Sequence, residues 1–319
     1  MKAAVFYSYG TNVLKIEEIE KPAPKDNEVL VKVCATSVNP AEWYGMTGLF
    51  LARLGNGLFK PKDTRLGADF AGVVEAVGKN VTDFKPGDEV FGGRSGAFAE
   101  YVCVQKNITH KPANVTFEQA GAVAIAGLTA LQGLRDHGKL QPGQKVLING
   151  ASGGVGTFAV QIAKALGAEV TAVCSQKNVD MVRSLSADHV IDYTKEDFTR
   201  SRQRYDLLLD VAGTRSWSEY RRVLAPKATA VIIGGPKGKI IGPLKHIIAI
   251  RVASFRASQK VIFFVANFNR EDFCVLKDLM EAGKVKPIVD RTYPLNKINE
   301  AISYLGTGHA RAKIAVTMQ

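Results

Sequence analysis

The chain has 319 residues, 46% hydrophobic and 23% charged, which predicts a globular protein of about two domains. That composition excludes a disordered chain, a fibrous repeat and a small disulfide-stapled scaffold. Lys plus Arg number 42 against 30 Asp plus Glu, a formal net charge of +12, and such a surplus points to nucleic acid, a membrane surface or a phosphorylated ligand. Composition does not choose among the three.

The first third is β-rich. Residues 29–33 alternate around Lys32, and residues 70–77 form a β-branched run closed by Gly78. Lys85-Pro-Gly-Asp88 marks a turn before a short strand at residues 89–91, and residues 96–104 alternate again. Short strands broken by Gly and Pro predict a barrel-like β unit. The texture changes near residue 115: residues 115–134 are Ala-rich and helical in character. An apolar strand at 145–149 follows, then a helix at 157–166 with Phe158, Ile162 and Leu166 on one face. Strands at 169–174, 190–192, 205–211 and 228–233 alternate with helical stretches such as 179–185. That alternation predicts a doubly wound parallel sheet. Beyond residue 270 the pattern gives one helix at 272–282, extended pieces, and a strand at 312–317 returning to the first domain.

Cys34, Cys103, Cys174 and Cys274 lie far apart with no C-x-x-C pair, so reduced, buried thiols are expected. The N-terminus lacks a basic region followed by an apolar run, and no apolar stretch reaches the ~20 residues of a bilayer span. The expected compartment is the cytoplasm.

The strongest local signal is the strand 145–149 running into Gly150-Ala-Ser-Gly-Gly-Val-Gly156 and a helix. A glycine-rich turn between a buried strand and a helix N-terminus lets backbone N–H groups approach a pyrophosphate. Ser152, Gly153, Gly154 and Val155 form the approach, and Gly156 allows close helix–sheet packing. Ala151 breaks the strict G-x-G-x-x-G, but strand, turn, helix and second strand supply the context. A tight β–α turn without a ligand is the alternative. At the end of the second strand, where an NAD site places an acid, the chain reads Cys174-Ser-Gln-Lys-Asn178. Ser175 and Asn178 offer hydrogen bonds to a 2′-phosphate and Lys177 offers charge, so NADPH is favoured over NADH. Asp180, the nearest carboxylate, is assigned to the first turn of the next helix.

Seven segments together resemble a medium-chain dehydrogenase/reductase of the zinc-independent quinone oxidoreductase, zeta-crystallin-like branch. They are Ala35-Thr-Ser-Val-Asn-Pro40, Gly67-Ala-Asp-Phe-Ala-Gly72, Lys85-Pro-Gly-Asp88, Gly96-Ala-Phe-Ala-Glu-Tyr101, Ala126-Gly-Leu-Thr129, Ala151-Ser-Gly-Gly-Val-Gly156 and Val190-Ile-Asp-Tyr193. The resemblance implies an α/β chain: a GroES-like β-barrel catalytic domain over residues 1–120, a Rossmann domain over 121–268, and a segment 269–319 returning to the first. It also implies no zinc. Zinc-dependent relatives carry Cys at the position of Asn39, Gly-His-Glu at 67–69 and Cys at the position of Ile125, and they have a four-cysteine lobe that this chain lacks. Without a Lewis acid, alcohol oxidation is poor chemistry, whereas hydride addition to a quinone or an electron-poor C=C needs only a hydrogen-bond donor for the carbonyl oxygen. The implied function is an NADPH-dependent reductase of quinones or α,β-unsaturated carbonyls.

By the same resemblance Tyr44, in a loop lining the family's cleft, is the candidate donor, and Asn39 contacts the nicotinamide ribose or the substrate carbonyl. Relatives often carry Lys at the position of Tyr44, and a lid-like packing role is its alternative. Thr129 faces the nicotinamide phosphate and Tyr193 stacks near the adenine. Val211 and Ala212 line the adenosine side, and Ile233, Gly234, Phe264 and Val265 the nicotinamide end. His110, His189 and His246 are read as surface residues at Rossmann edges or turns. Residues 260–265 resemble an edge strand that pairs with its twin in a homodimer.

Two other functions compete: an enoyl-thioester reductase, and a nucleic-acid-binding crystallin-like protein, the latter disfavoured because no aromatic–basic interleaving is visible. Between Lys195 and Lys260 stand 14 Lys or Arg and five acids. Within that basic flank, residues 243–256 alternate apolar and basic side chains. They predict a helix packed on the sheet with a solvated basic face, or one lying on an anionic membrane.

Overall fold

The computed structural model describes residues 1–235 and 244–318. Pro243, Lys237 and Lys239 of the basic flank lie outside the described residues. The chain forms two compact units, Met1–Leu128 with Asn267–Gln319, and Thr129–Ala266.

The first unit is built on a seven-stranded sheet. Its strands run in the order Val289–Pro294, Lys313–Thr317, Val29–Val38, Asp69–Val77, Glu89–Gly93 and Ile108–His110, with Tyr101–Val104 also on Val29–Val38. Alternation explains the central strand: Lys32 faces solvent between the buried Val31 and Val33. One core gathers Phe70, Val90, Val102 and Ile108, and another gathers Phe6, Met46, Phe98, Ile302 and Ile314. The C-terminal strand does return: Lys313–Thr317 runs antiparallel to Val29–Val38, with Ile314 opposite Val38.

Three expectations need correction. The helical stretch 115–134 is broken: Phe117–Ala120 is capped by Thr116 and stops at Gly121, and Ala124–Gln132 follows and widens into Gly133–His137. The strand expected over 96–104 is ordered as a strand only at Tyr101–Val104. Beyond residue 270 there are two helices, Arg270–Glu281 and Ile298–Thr307. Ile298, Ala301 and Ile302 bury one face of the second, and Gly308, at φ 77°, ends it in the left-handed conformation.

The second unit carries a six-stranded sheet with every pairing parallel. The order is His189–Asp192, Glu169–Cys174, Lys145–Asn149, Tyr205–Asp210, Leu224–Ile232, Lys260–Phe263. The chain winds outward one way from Lys145–Asn149, then crosses to Tyr205–Asp210 and winds the other way. That reversal opens a crevice at the carboxyl ends of these two neighbouring strands. Leu147, Leu208, Ala230, Trp217, Tyr220 and Ile250 share the core on one face of the sheet. Among the described residues no helix is long and apolar enough to cross a membrane.

Candidate dinucleotide cradle and buried polar cluster

At the carboxyl end of Lys145–Asn149 the chain turns through Gly150, at φ 89°, into the helix Gly154–Ala165. A Cβ on Gly156 would collide with the Gly150 carbonyl oxygen and lie 2.7 Å from the Ala151 backbone, so only glycine allows the helix to start this close to the strand. Gly153 caps that helix without a side-chain bond, so no side chain satisfies the helix's first N–H groups. Such an end holds an anion, and the helix dipole adds to the attraction.

The second strand brings three predicted residues to this turn. Asn178 Nδ2 donates to Ser152 Oγ at 3.0 Å and to Ser175 Oγ at 3.3 Å. Because the amide supplies these hydrogens, both serine hydroxyls keep their own for a ligand. Asn178 is buried and its Oδ1 has no partner. Lys177, on the same short turn, is exposed.

The crevice wall is continuous. Gly150 lies against Val211 and Ala212, and a Cβ on Gly234 would collide with the Val211 carbonyl oxygen, so Ile233–Gly234 abuts the same segment. Asp210 pins this end of the sheet. Its Oδ1 accepts the Gly213 N–H and Asn149 Nδ2, each at 2.9 Å. Burial, and then the Asp210 charge, push the Tyr220 phenol far up. Sequence reasoning missed Asp210, although an acid ending a run of three leucines was a visible signal. Thr129 is buried, Tyr193 is half exposed, and Val265 is 87% exposed. Phe264 packs on His137 with ring centroids 4.2 Å apart.

The first unit holds a second polar centre. Lys313, 3% exposed, places its ammonium 3.1 Å from Asp69 Oδ2 and donates to Asn39 Oδ1. Asn39 Nδ2 donates to Asp69 Oδ2 at 3.1 Å, Ser37 Oγ donates to the same oxygen, and the Ile125 N–H reaches Asp69 Oδ1 at 2.8 Å. Asn39 is therefore held at both ends of its amide. Glu42 is buried beside it and accepts the Asn39 N–H at 2.8 Å. Burial first, then the Asp69 carboxylate, push Glu42 up to about 7, against the pull of the Lys313 ammonium. Asp69, Glu42 and Lys313 were absent from the predicted site. A lysine opening an otherwise apolar strand was the available clue.

Tyr44 stands on the helix Pro40–Thr47 rather than in a loop, because Pro40 and the Asn39–Glu42 contact start a helix there. It is half-buried, and burial pushes its phenol up, so its hydroxyl stays a donor at neutral pH. Two histidines also depart from expectation. His110 ends a strand of the first unit, and His246 is turned inward with Nε2 3.9 Å from Asp210 Oδ2. All four cysteines are free, and burial pushes the Cys174 thiol up to about 11, which removes it as a thiolate nucleophile. Among the described residues no group of three His, Cys, Asp or Glu gathers in a metal-holding arrangement.

Residues 25–114 match the alcohol dehydrogenase GroES-like domain, and residues 185–316 match a zinc-binding dehydrogenase family. The chain is 33% identical to a chloroplastic quinone oxidoreductase of Triphysaria versicolor, over 99% of this chain and 98% of that one. It is 35% identical to a chloroplastic NADPH-dependent alkenal/one oxidoreductase of Arabidopsis thaliana, over 99% and 79%. A solved quinone oxidoreductase from Coxiella burnetii superposes with a TM-score of 0.86 at 29% identity, covering 100% of this chain and 99% of its own. A GroES-like unit joined to a doubly wound sheet with a glycine cradle defines a medium-chain dehydrogenase/reductase. Within that superfamily the chain belongs to the quinone oxidoreductase branch.

Proposed function

We propose that the protein is an NADPH-dependent reductase that adds hydride to quinones or α,β-unsaturated carbonyls without zinc. The observation that carries this reading is the convergence of Ser152, Ser175 and Asn178 beside a helix N-terminus that no side chain caps. The N–H groups of Gly154 and Val155 bind the pyrophosphate, and Gly153, whose own N–H closes the turn on the Gly150 carbonyl at 3.1 Å, lets the phosphates approach them closely. The two serine hydroxyls and Lys177 take the 2′-phosphate, and the unpartnered Asn178 Oδ1 accepts a ribose hydroxyl. Thr129, Tyr193, Val211, Ala212, Ile233, Gly234, Phe264 and Val265 complete the proposed contacts. The bound nicotinamide supplies the hydride. Tyr44 donates a hydrogen bond to the carbonyl oxygen as it gains charge, and Asn39, fixed by Lys313 and Asp69, offers its second amide hydrogen.

The donor set at Asn39 supports zinc-free chemistry. Asp69 already has an ammonium 3.1 Å away, and among the described residues no group of three His, Cys, Asp or Glu forms a zinc shell around it. A homodimer through the outer edge of Lys260–Phe263 belongs to the same proposal; it is supported by the place of this strand at the end of the sheet among the described residues.

Steady-state NADPH oxidation with a quinone, a short enone and an enoyl-CoA tests the reading. Turnover of the thioester alone would make the protein an enoyl-thioester reductase. Lys177→Glu should raise KM for NADPH about tenfold or more with little change for NADH, since one charge-assisted bond to phosphate is lost and a repulsion gained. Tyr44→Phe should lower kcat about tenfold or more with KM for NADPH unchanged.

A further inference from the structure

The helix Leu244–Ala253 has two different sides. One packs inward: Ile250 is buried among Leu208, Trp217, Tyr220 and Ala230, and His246 faces Asp210. On the outer side Ile248 is 52% exposed and Val252 71%, four residues apart and so on one face. Phe255, in the turn that follows, is 86% exposed. Three exposed large apolar side chains within eight residues are more than a solvated segment carries by chance.

Exposed cations border that row: Lys245 near its start, Arg251 along it and Arg256 at its end. The chain has no Asp or Glu between Glu219 and Glu271, while ten Lys or Arg fall in that span. Arg251 spends a hydrogen on the Val261 carbonyl at 3.4 Å, not on a carboxylate. An apolar stripe edged by cations, with no acid near it in sequence, complements one kind of surface.

We propose that this face docks on an anionic lipid bilayer. Ile248, Val252 and Phe255 enter the boundary between headgroups and acyl chains, and Lys245, Arg251 and Arg256 sit among the lipid phosphates and anionic headgroups. A second copy of the chain is a poor occupant, because a two-fold contact would set these cations against their own counterparts. Nucleic acid would leave the apolar row unused. The inference rests on this face alone and is independent of which acceptor the enzyme reduces.

Flotation of the full chain with phosphatidylcholine vesicles, with and without phosphatidylglycerol, tests it. The protein should float with the anionic vesicles only, and added salt should release it. Val252→Asp with Phe255→Ser should weaken binding about tenfold or more, as an inserted apolar row becomes polar. Arg251→Glu with Arg256→Glu should weaken it about 25-fold or more, at roughly fivefold per cation. Lys15→Glu with Lys284→Glu changes net charge equally on other surfaces and should bind like the parent. The extra fluorescence of Phe255→Trp should shift to the blue on vesicle binding. The proposal is overturned if the control pair weakens binding as much as the Arg pair, if the added tryptophan shows no shift, or if Val252→Asp with Phe255→Ser changes the mass measured by light scattering without vesicles. Circular dichroism and thermal melting confirm that each variant is folded before it is scored.

Discussion

Glu42 binds its proton more tightly in the folded protein than in the unfolded chain, where its ordinary value is 4.5 against about 7 when folded. Raising the pH through that window strips the proton from a buried carboxyl and costs stability. The loss reaches about 3 kcal/mol at 1.36 kcal/mol per unit of pKa. The melting temperature should therefore fall between about pH 4 and pH 8 through this group, and Glu42→Gln should flatten that fall. An equal slope in the variant would contradict the assignment. Lys313 makes a second residue-scale case. Lys313→Met leaves Asp69 buried without its ammonium and should cost about 3–5 kcal/mol, and adding Asp69→Asn should recover part of the loss. Additive losses in denaturant titrations would show that the two groups do not share charge. None of this could be read from spacing, because Asn39, Asp69 and Lys313 meet only when strands from both ends of the chain pair.

At the scale of elements, periodicity was a good guide where one element met one partner. The strand Lys145–Asn149 was legible because a strand buried on both faces reads as a continuous apolar run, and the helix over Phe158 and Ile162 because its large apolar side chains recur every four residues. The stretch 115–134 was not, because its alanines suit a continuous helix while Thr116 and Gln119 cap a short one that Gly121 ends. The helix Ile298–Thr307 carried a usable signal in Ile298, Ala301, Ile302 and Gly308, all visible in the sequence. The cradle turn gives the sharpest element-scale prediction. Gly156→Ala forces the helix start away from Gly150, so KM for NADPH should rise about tenfold or more and thermal stability should drop with it. Stability that falls while cofactor affinity holds would separate the packing role of Gly156 from the binding role of the turn.

For the whole molecule, light scattering should return twice the chain mass if Lys260–Phe263, the end strand of its sheet among the described residues, pairs with a second copy. A single chain mass would remove the dimer. The sequence by itself determined the parts whose logic is local. These were a β-rich section followed by alternating strands and helices, a glycine turn at a helix start, the missing acid after the second strand, and the concentration of positive charge in the later half. Each depends on neighbours within about one turn or one strand pair, and the side-chain pattern records it directly. Tertiary structure alone decided three other matters. It paired Lys313 with Asp69 across 244 residues of chain, turned His246 inward toward Asp210, and split the basic helix into a packed side and an exposed apolar side. The physical reason is common to all three: burial and partner choice depend on which surfaces meet after folding, and a single stretch of sequence does not contain that information.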